Sequence, residues 1–157
     1  SRDAFPYNSS SLTASANISS ASMSVYPTGN SSTDGDSIRM VTYTATSPTT
    51  LTNADFNDFG TTAQATSDLL ITGFTANAYN TYTLNATGIG NISKTSYSYF
   101  GQRSVRDINN SAPTGLNQTG FNGATEGNPP KLDVTYTLPI YLRTQNLNQA
   151  VNRASTY

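Results

Sequence analysis

Apolar and polar residues alternate along this chain in short runs, each closed by a cluster of Gly, Pro, Asn or Ser. In ASMSVYP, Ala21, Met23 and Val25 alternate with small polar residues until Pro27 stops the run, the pattern of a half-buried strand. SIRMVTYTA is apolar on both faces, with Ile38 and Met40 on one and Val41 and Tyr43 on the other. DLLITGF, YNTYTLN, SYSYFGQR and KLDVTYTL are further predicted strands. In the third of these, Tyr97 and Tyr99 share a face and Phe100 takes the other; in the last, Leu132, Val134 and Tyr136 share a face. GNSSTDGDS and NNSAPTGLNQTGFNGATEGNPP read as loops, because Gly, Asn and Pro suit turns and interrupt ladders.

Two stretches change period. In SPTTLTNADFNDFG, Thr52 followed three residues later by Asp55 resembles a capping box, and Gly60 supplies a stop, so a helical turn is expected over residues 53–59. TGIGNISK predicts a second short helical segment that turns Ile89 and Ile92 inward. Six or more short strands with one or two helical turns predict an all-β fold, a jelly-roll β-sandwich over residues 1–139 followed by an extension over 140–157. No internal repeat occurs.

Composition sharpens the setting and removes several functions. The 157 residues include 45 Ser or Thr and 17 Asn, only 11% are charged, and the net charge is −1. Thr and Tyr favour strands while Asn, Ser and Gly favour turns, a balance that suits an extracellular or cell-surface protein. The absence of cysteine does not oppose this, since a core of this size stands without disulfides. The lack of a leader before SRDAFPYNSS is expected to reflect cleavage or a fragment. The six Arg and two Lys are scattered, which argues against nucleic acid as a partner, and no run of 18 apolar residues exists to span a bilayer. Without His or Cys there is no triad of the Ser-His-Asp or Cys-His kind and no His/Cys zinc site, and none of the nine acids stands in a context that marks catalysis, so the chain reads as a non-enzyme with no cofactor.

Four segments, SSLTASANISSASMSVY, LTNADFNDFG, AYNTYTLNATGIGNISKTSYSYFGQRSVRDINNSAPT and NPPKLDVTYTLP, follow one another in this order. Together they resemble the DNRLRE-type domain, a carbohydrate-binding-module-like jelly roll of secreted and cell-surface proteins. The resemblance covers roughly residues 5–139, and its most specific part runs from Tyr79 to Pro113. It implies a fold and an extracellular setting rather than a ligand. Domains of that type begin with one or two strands ahead of the segment that here holds Arg2, Phe5 and Tyr7-Asn8-Ser9-Ser10, so the opening strand is missing by comparison. IYLRTQNLNQAVNRASTY is similar to that strand, and joining Tyr157 to Ser1 restores a continuous family-like sequence. The chain thus resembles a circularly shifted domain.

A sandwich short of a strand leaves backbone groups unpaired, and something must cover them. If the tail fills the gap of the next unit, the contact is strand addition, with Ile140, Tyr141, Leu142 and Arg143 leading and Leu147 and Val151 as weaker plugs. Such a head-to-tail contact need not close and builds a filament. Eighteen extended residues reach up to roughly 60 Å, against a domain radius of gyration of about 15 Å. The same contact arises if the sequence is one period of a tandem array. A strand inserted into its own domain, or a linker, stands as the bland alternative. The leading expectation is a structural subunit whose partners are copies of itself; the runner-up is a carbohydrate-binding or adhesive module.

Three further sets of residues are candidates. Seven Asn-x-Ser/Thr sequons, at Asn8, Asn17, Asn30, Asn85, Asn91, Asn109 and Asn117, are candidate glycosylation sites, although composition alone yields about five. Asp34 and Asp36, and Asp55 with Asp58, offer oxygen ligands for Ca²⁺, but neither stretch completes an EF-hand pattern and turn-making or capping explains them better. Tyr79, Tyr82, Tyr97 and Tyr99 are candidate sugar-stacking residues, with core or cross-strand packing as the commoner role.

Overall fold

Residues 2–139 are described by a computed structural model. Nine strands run in chain order: β1 (Arg2–Asn8), β2 (Asn17–Val25), β3 (Pro27–Ser32), β4 (Ser37–Thr42), β5 (Leu69–Leu70), β6 (Asn80–Thr83), β7 (Tyr97–Ser104), β8 (Asn117–Phe121) and β9 (Lys131–Thr137). Two short helices, α1 (Ala86–Gly90) and α2 (Val105–Ile108), and three 3-10 turns complete the described residues. All strand pairs are antiparallel. They form a four-stranded sheet in the order β1-β7-β4-β5, a three-stranded sheet in the order β6-β2-β9, and a ribbon of β3 and β8. The fold is the all-β sandwich expected from the sequence.

The period-two alternation decides which side chains meet between the sheets. Phe5, Ile38, Met40 and Phe100 of the four-stranded sheet pack against Ala21, Met23, Val25 and Tyr82 of the three-stranded one. Met23, Met40 and Phe100 have no exposed surface, and each such side chain contributes about 1.5–3 kcal/mol by leaving water. The sheets are also tied by a polar bridge: Gln102 Nε2 donates to the Tyr82 hydroxyl at 3.1 Å, and that hydroxyl donates to the Ile38 carbonyl at 3.4 Å.

The outer face of β4 is buried as well. Val41 and Tyr43 pack with Phe59, whose ring stacks on Tyr43 at 5.0 Å. The lid carrying Phe59 includes the 3-10 turn Asp55–Asp58, at the place where the capping-box pattern predicts a helical turn. Gly101 lies beneath it, and a Cβ there would stand 2.5 Å from the Phe59 ring, so the lid needs glycine at that position. This lid explains why SIRMVT is apolar on both faces.

Several boundaries differ from the sequence reading. Residues 29–37 and 109–130, read as loops, hold most of β3 and all of β8, which pair with each other from Pro27↔Phe121 to Ser32↔Asn117. Their Asn, Ser and Gly residues have low strand propensity, and cross-strand pairing overrides it. DLLITGF yields only the two residues of β5 before turning into the 3-10 segment Ile71–Gly73. α2 was not anticipated; its N-cap is Ser104, the last residue of β7, whose hydroxyl accepts the Asp107 N–H. The segment holding Arg2, Phe5 and Tyr7, not read as a strand from the alternation, is the strand β1.

Candidate functional site

The two long sides of the sandwich are built differently. On one side, residues 64–66 stitch the sheets together. Gln64 N–H donates to Met40 O of β4 at 2.9 Å, and Gln64 O accepts the Asn85 N–H at 3.0 Å. Thr66 N–H donates to Thr83 O of β6, and Ala65 forms a bridge with Leu84. α1 locks this side: its N-cap Asn85 accepts the Gly88 N–H at 2.9 Å and donates through Nδ2 to the carbonyls of Ala63 and Ala65 at 3.0 Å each.

On the other side, the four-stranded sheet ends at β1 and the three-stranded sheet ends at β9. β1 pairs with β7 and β9 with β2; the two edge strands do not pair with each other. Pro6 sits in β1, where a residue lacking an N–H is tolerated because the strand is an edge. The seam between the two edges is apolar. Tyr7, Ile18, Leu132 and Val134 pack against the core but stay half-buried, while Tyr136 and Leu138 are 41% and 53% exposed. The Tyr7 hydroxyl is buried with no hydrogen-bond partner among the described residues. Burial, with the Asp133 carboxylate of β9 as a second cause, pushes that hydroxyl far above the ordinary tyrosine range. The residues expected to lead strand addition, Ile140, Tyr141, Leu142, Arg143, Leu147 and Val151, lie outside the described residues.

Three of the four aspartates considered as cation ligands are engaged by the fold. Asp55 is 1% exposed and accepts four hydrogen bonds, from the backbone N–H and hydroxyl of Thr46 and of Thr52, at 2.7 to 2.9 Å. This is the reciprocal half of the capping box, extended to a second threonine. Asp34 accepts the N–H groups of Thr114 and Gly115 and pairs with Arg106. Asp36 accepts the Ser104 hydroxyl at 2.5 Å and the N–H groups of Ser37 and Arg106. The Asp58 side chain is exposed, and its backbone carbonyl accepts the Thr44 N–H. Among the described residues no group of three acidic, His or Cys side chains could hold a metal. Around Asp36, a cleft of about 630 Å³ opens between the β3–β8 ribbon and the end of the four-stranded sheet, lined by Ile38, Ile71, Asn117 and Thr119 among others.

The Asp55 contacts carry a pH dependence. Its carboxyl is held down at about 2, first by the Thr52 N–H and then by Thr46. The unfolded value is about 3.9, so the contribution is full above that pH and is lost as pH falls through the folded value. Asp55→Asn removes two acceptor sites and is expected to open the lid at neutral pH. Limited proteolysis should then cleave within residues 44–60 at pH 7, where the parent chain resists until the pH approaches that of the folded carboxyl. Equal resistance in both proteins would show that Asp55 does not hold the lid.

The candidate aromatic residues divide. Tyr82 is 1% exposed and has no face open to a ligand, so its role is the core. Tyr79 packs edge-on against Tyr26, lies under Lys131 at 3.8 Å and donates its hydroxyl to Pro129 O. Tyr97 and Tyr99 are half-buried neighbours on the outer face of β7, with rings 6.3 Å apart and 22° from parallel. The sequons divide too. Asn8, Asn17 and Asn109 are exposed, whereas the Nδ2 groups of Asn30, Asn85 and Asn91 are donated to protein acceptors and that of Asn117 is buried.

No helix among the described residues is long and apolar enough to cross a membrane. Among the described residues the class defined by the fold is an antiparallel β-sandwich with one stitched side and one side where two sheet edges stay unpaired. Comparison with family models, curated proteins and solved structures gives no match.

Proposed function

We propose that this protein is a structural subunit of an extracellular filament or surface fibre, joined head to tail by its C-terminal segment, which completes the sandwich of the next unit. The observation that carries this reading is the open seam: two sheet edges on one side of the sandwich, β1 and β9, with apolar side chains half-buried between them. Free edges of this kind template added strands, and native proteins otherwise blunt them with charge or cover. β9 bears Lys131 and Asp133 near its start, but Thr135, Tyr136 and Thr137 beyond them are uncharged. The resemblance to the DNRLRE-type domain supports the extracellular setting, and the tail's similarity to that domain's opening strand supports the identity of the filler. The junction is a donated strand between separate chains or a peptide bond within a tandem array.

Deleting residues 140–157 is expected to abolish assembly seen by electron microscopy and size-exclusion chromatography. A denaturing gel of native material assigns the junction: collapse to about 17 kDa for separate chains, very large chains for the array. Unchanged assembly after the deletion would end this reading.

The second reading, a carbohydrate-binding or adhesive module, has one observation of its own, the paired Tyr97 and Tyr99 rings, since sugars stack on such aromatic faces. A defined glycan-array preference, lost on Tyr97→Ala, in a monodisperse chain would favour it over the filament.

A further inference from the structure

We propose that the seam between β1 and β9 is the acceptor for residues 140–157 of a second copy of this chain, laid as an extended strand along the free edge of β9 and hydrogen-bonded to the Tyr7 hydroxyl. The proposal rests on the head-to-tail reading and adds to it the edge that is filled, the polar anchor and the reason the chain's own tail is not the occupant.

The chain's own tail would have to reverse immediately after β9. The strand ends at Thr137, and only Leu138 and Pro139 stand between it and Ile140. Two-residue hairpin loops are type I′ or II′ turns, which require positive φ within the loop. Pro139 is locked near φ −65° and drives Leu138 into extended backbone, so this dipeptide carries the chain onward from β9 instead of back along it. A longer loop would spend Ile140 and Leu142, the most apolar part of the tail, in the turn. A second copy has no such constraint.

The chemistry of the seam fits an extended apolar segment. The inward row of β1 includes Phe5 and Tyr7, and that of β9 includes Leu132 and Val134; Phe5 is buried while the other three stay half-buried beside the core. An added strand offers alternate side chains at that spacing, and Ile140 and Leu142 alternate in this way. The Tyr7 hydroxyl is the second, independent observation. A buried hydroxyl without a partner is costly, and a strand in the seam brings backbone N–H and C=O groups past it. The opposite side is the internal precedent, because there residues 64–66 fill the same gap between β4 and β6.

The test uses the full chain in isotopically heavy and light forms, with Tyr136 replaced by the photo-crosslinker p-benzoylphenylalanine, mixed before assembly and irradiated. Digestion and mass spectrometry are expected to find links from position 136 into residues 140–157, with heavy–light pairs as frequent as like pairs. Links confined to one isotope form, with no heavy–light pairs, or links to any other segment would overturn the proposal. If position 136 links elsewhere while deletion of 140–157 still abolishes assembly, the seam assignment alone fails; if the deletion leaves assembly intact, the head-to-tail reading itself fails. Tyr7→Phe gives a second readout of opposite sign. The dilute, unassembled chain should melt at the same temperature or higher, because an unpaired buried hydroxyl has been removed, while the concentration needed for assembly should rise roughly five-fold for one lost hydrogen bond. An unchanged assembly concentration would exclude the hydroxyl as an anchor.

Discussion

Gly88→Ala is expected to lower the stability of the domain by about 3 kcal/mol, the top of the usual range for overpacking. For a chain of this size that corresponds to a fall in Tm of roughly 6–12 °C. A Cβ at position 88 would stand 2.1 Å from the carbonyl oxygen of Gln64 and 3.2 Å from Leu84 Cβ. The carbonyl cannot retreat cheaply, because it accepts the Asn85 N–H while the Gln64 N–H is held by Met40 O. Relief would require lifting α1 off residues 63–65, and that motion breaks the two Asn85 Nδ2 hydrogen bonds and the Ala65–Leu84 bridge. The methyl group therefore acts on the one segment that stitches the sheets on this side. Gly90→Ala, two residues on, meets nothing within 4 Å and is expected to be neutral or stabilising, since alanine is the better helix former. Denaturant unfolding followed by circular dichroism checks both. If the two variants unfolded together with the parent, α1 would not be docked as described.

Alternation in ASMSVY, SIRMVTY, SYSYF and KLDVTYT located β2, β4, β7 and β9 and their inward rows, because each row must choose a face when one face is buried. Thr52 and Asp55 marked the 3-10 turn through local capping chemistry, which short spacing makes readable. β3 and β8 escaped because Asn, Gly and Ser have no strand preference of their own; only the partner strand, some ninety residues away, makes them a ribbon. The buried polar residues Gln64, Ser98, Gln102 and Ser104 escaped for a related reason, since each hydrogen-bonds with a group distant in sequence. The open seam was only half legible. The family resemblance led only to the expectation of a displaced opening strand, and the edges that flank the seam, with the stitched side opposite, depend on sheet order. The signal that could have pointed to the seam is Pro6 in an otherwise alternating Phe5–Tyr7 segment, a mark of an edge strand.

Asp107→Ala is expected to cost about 2–3 kcal/mol, less than the loss of one partner from a fully buried ion pair because the Asp107 side chain is 34% exposed and water screens it. Asp107 gathers three parts of the fold. Arg2 of β1 reaches it through Nε at 2.7 Å and Nη2 at 2.9 Å, and Arg103 of β7 through Nε at 2.6 Å. Arg103 also donates to Phe59 O in the lid, and Arg2 lies 4.2 Å above the Phe56 ring and donates to the Phe56 carbonyl. Removing the carboxylate leaves two arginine side chains, each 13% exposed, without the counter-charge they share. The strand most exposed to that loss is β1, which is also one wall of the seam, so a loosened β1 should weaken assembly as well as folding. The acid response separates this charge effect from mere loss of packing. The Arg2 hydrogen bonds, with those of Arg103 and against the opposing effect of burial, hold the Asp107 carboxyl well below the usual carboxylate range. Its folded value therefore lies below the unfolded value of about 3.9, and its contribution is full above that pH and declines as pH falls toward the folded value. Stability measured against pH should fall more gently below about pH 4 in Asp107→Asn than in the parent chain, since the variant has already lost this term at every pH. Parallel acid limbs in the two proteins would show that Asp107 contributes no ionised pairing to the fold.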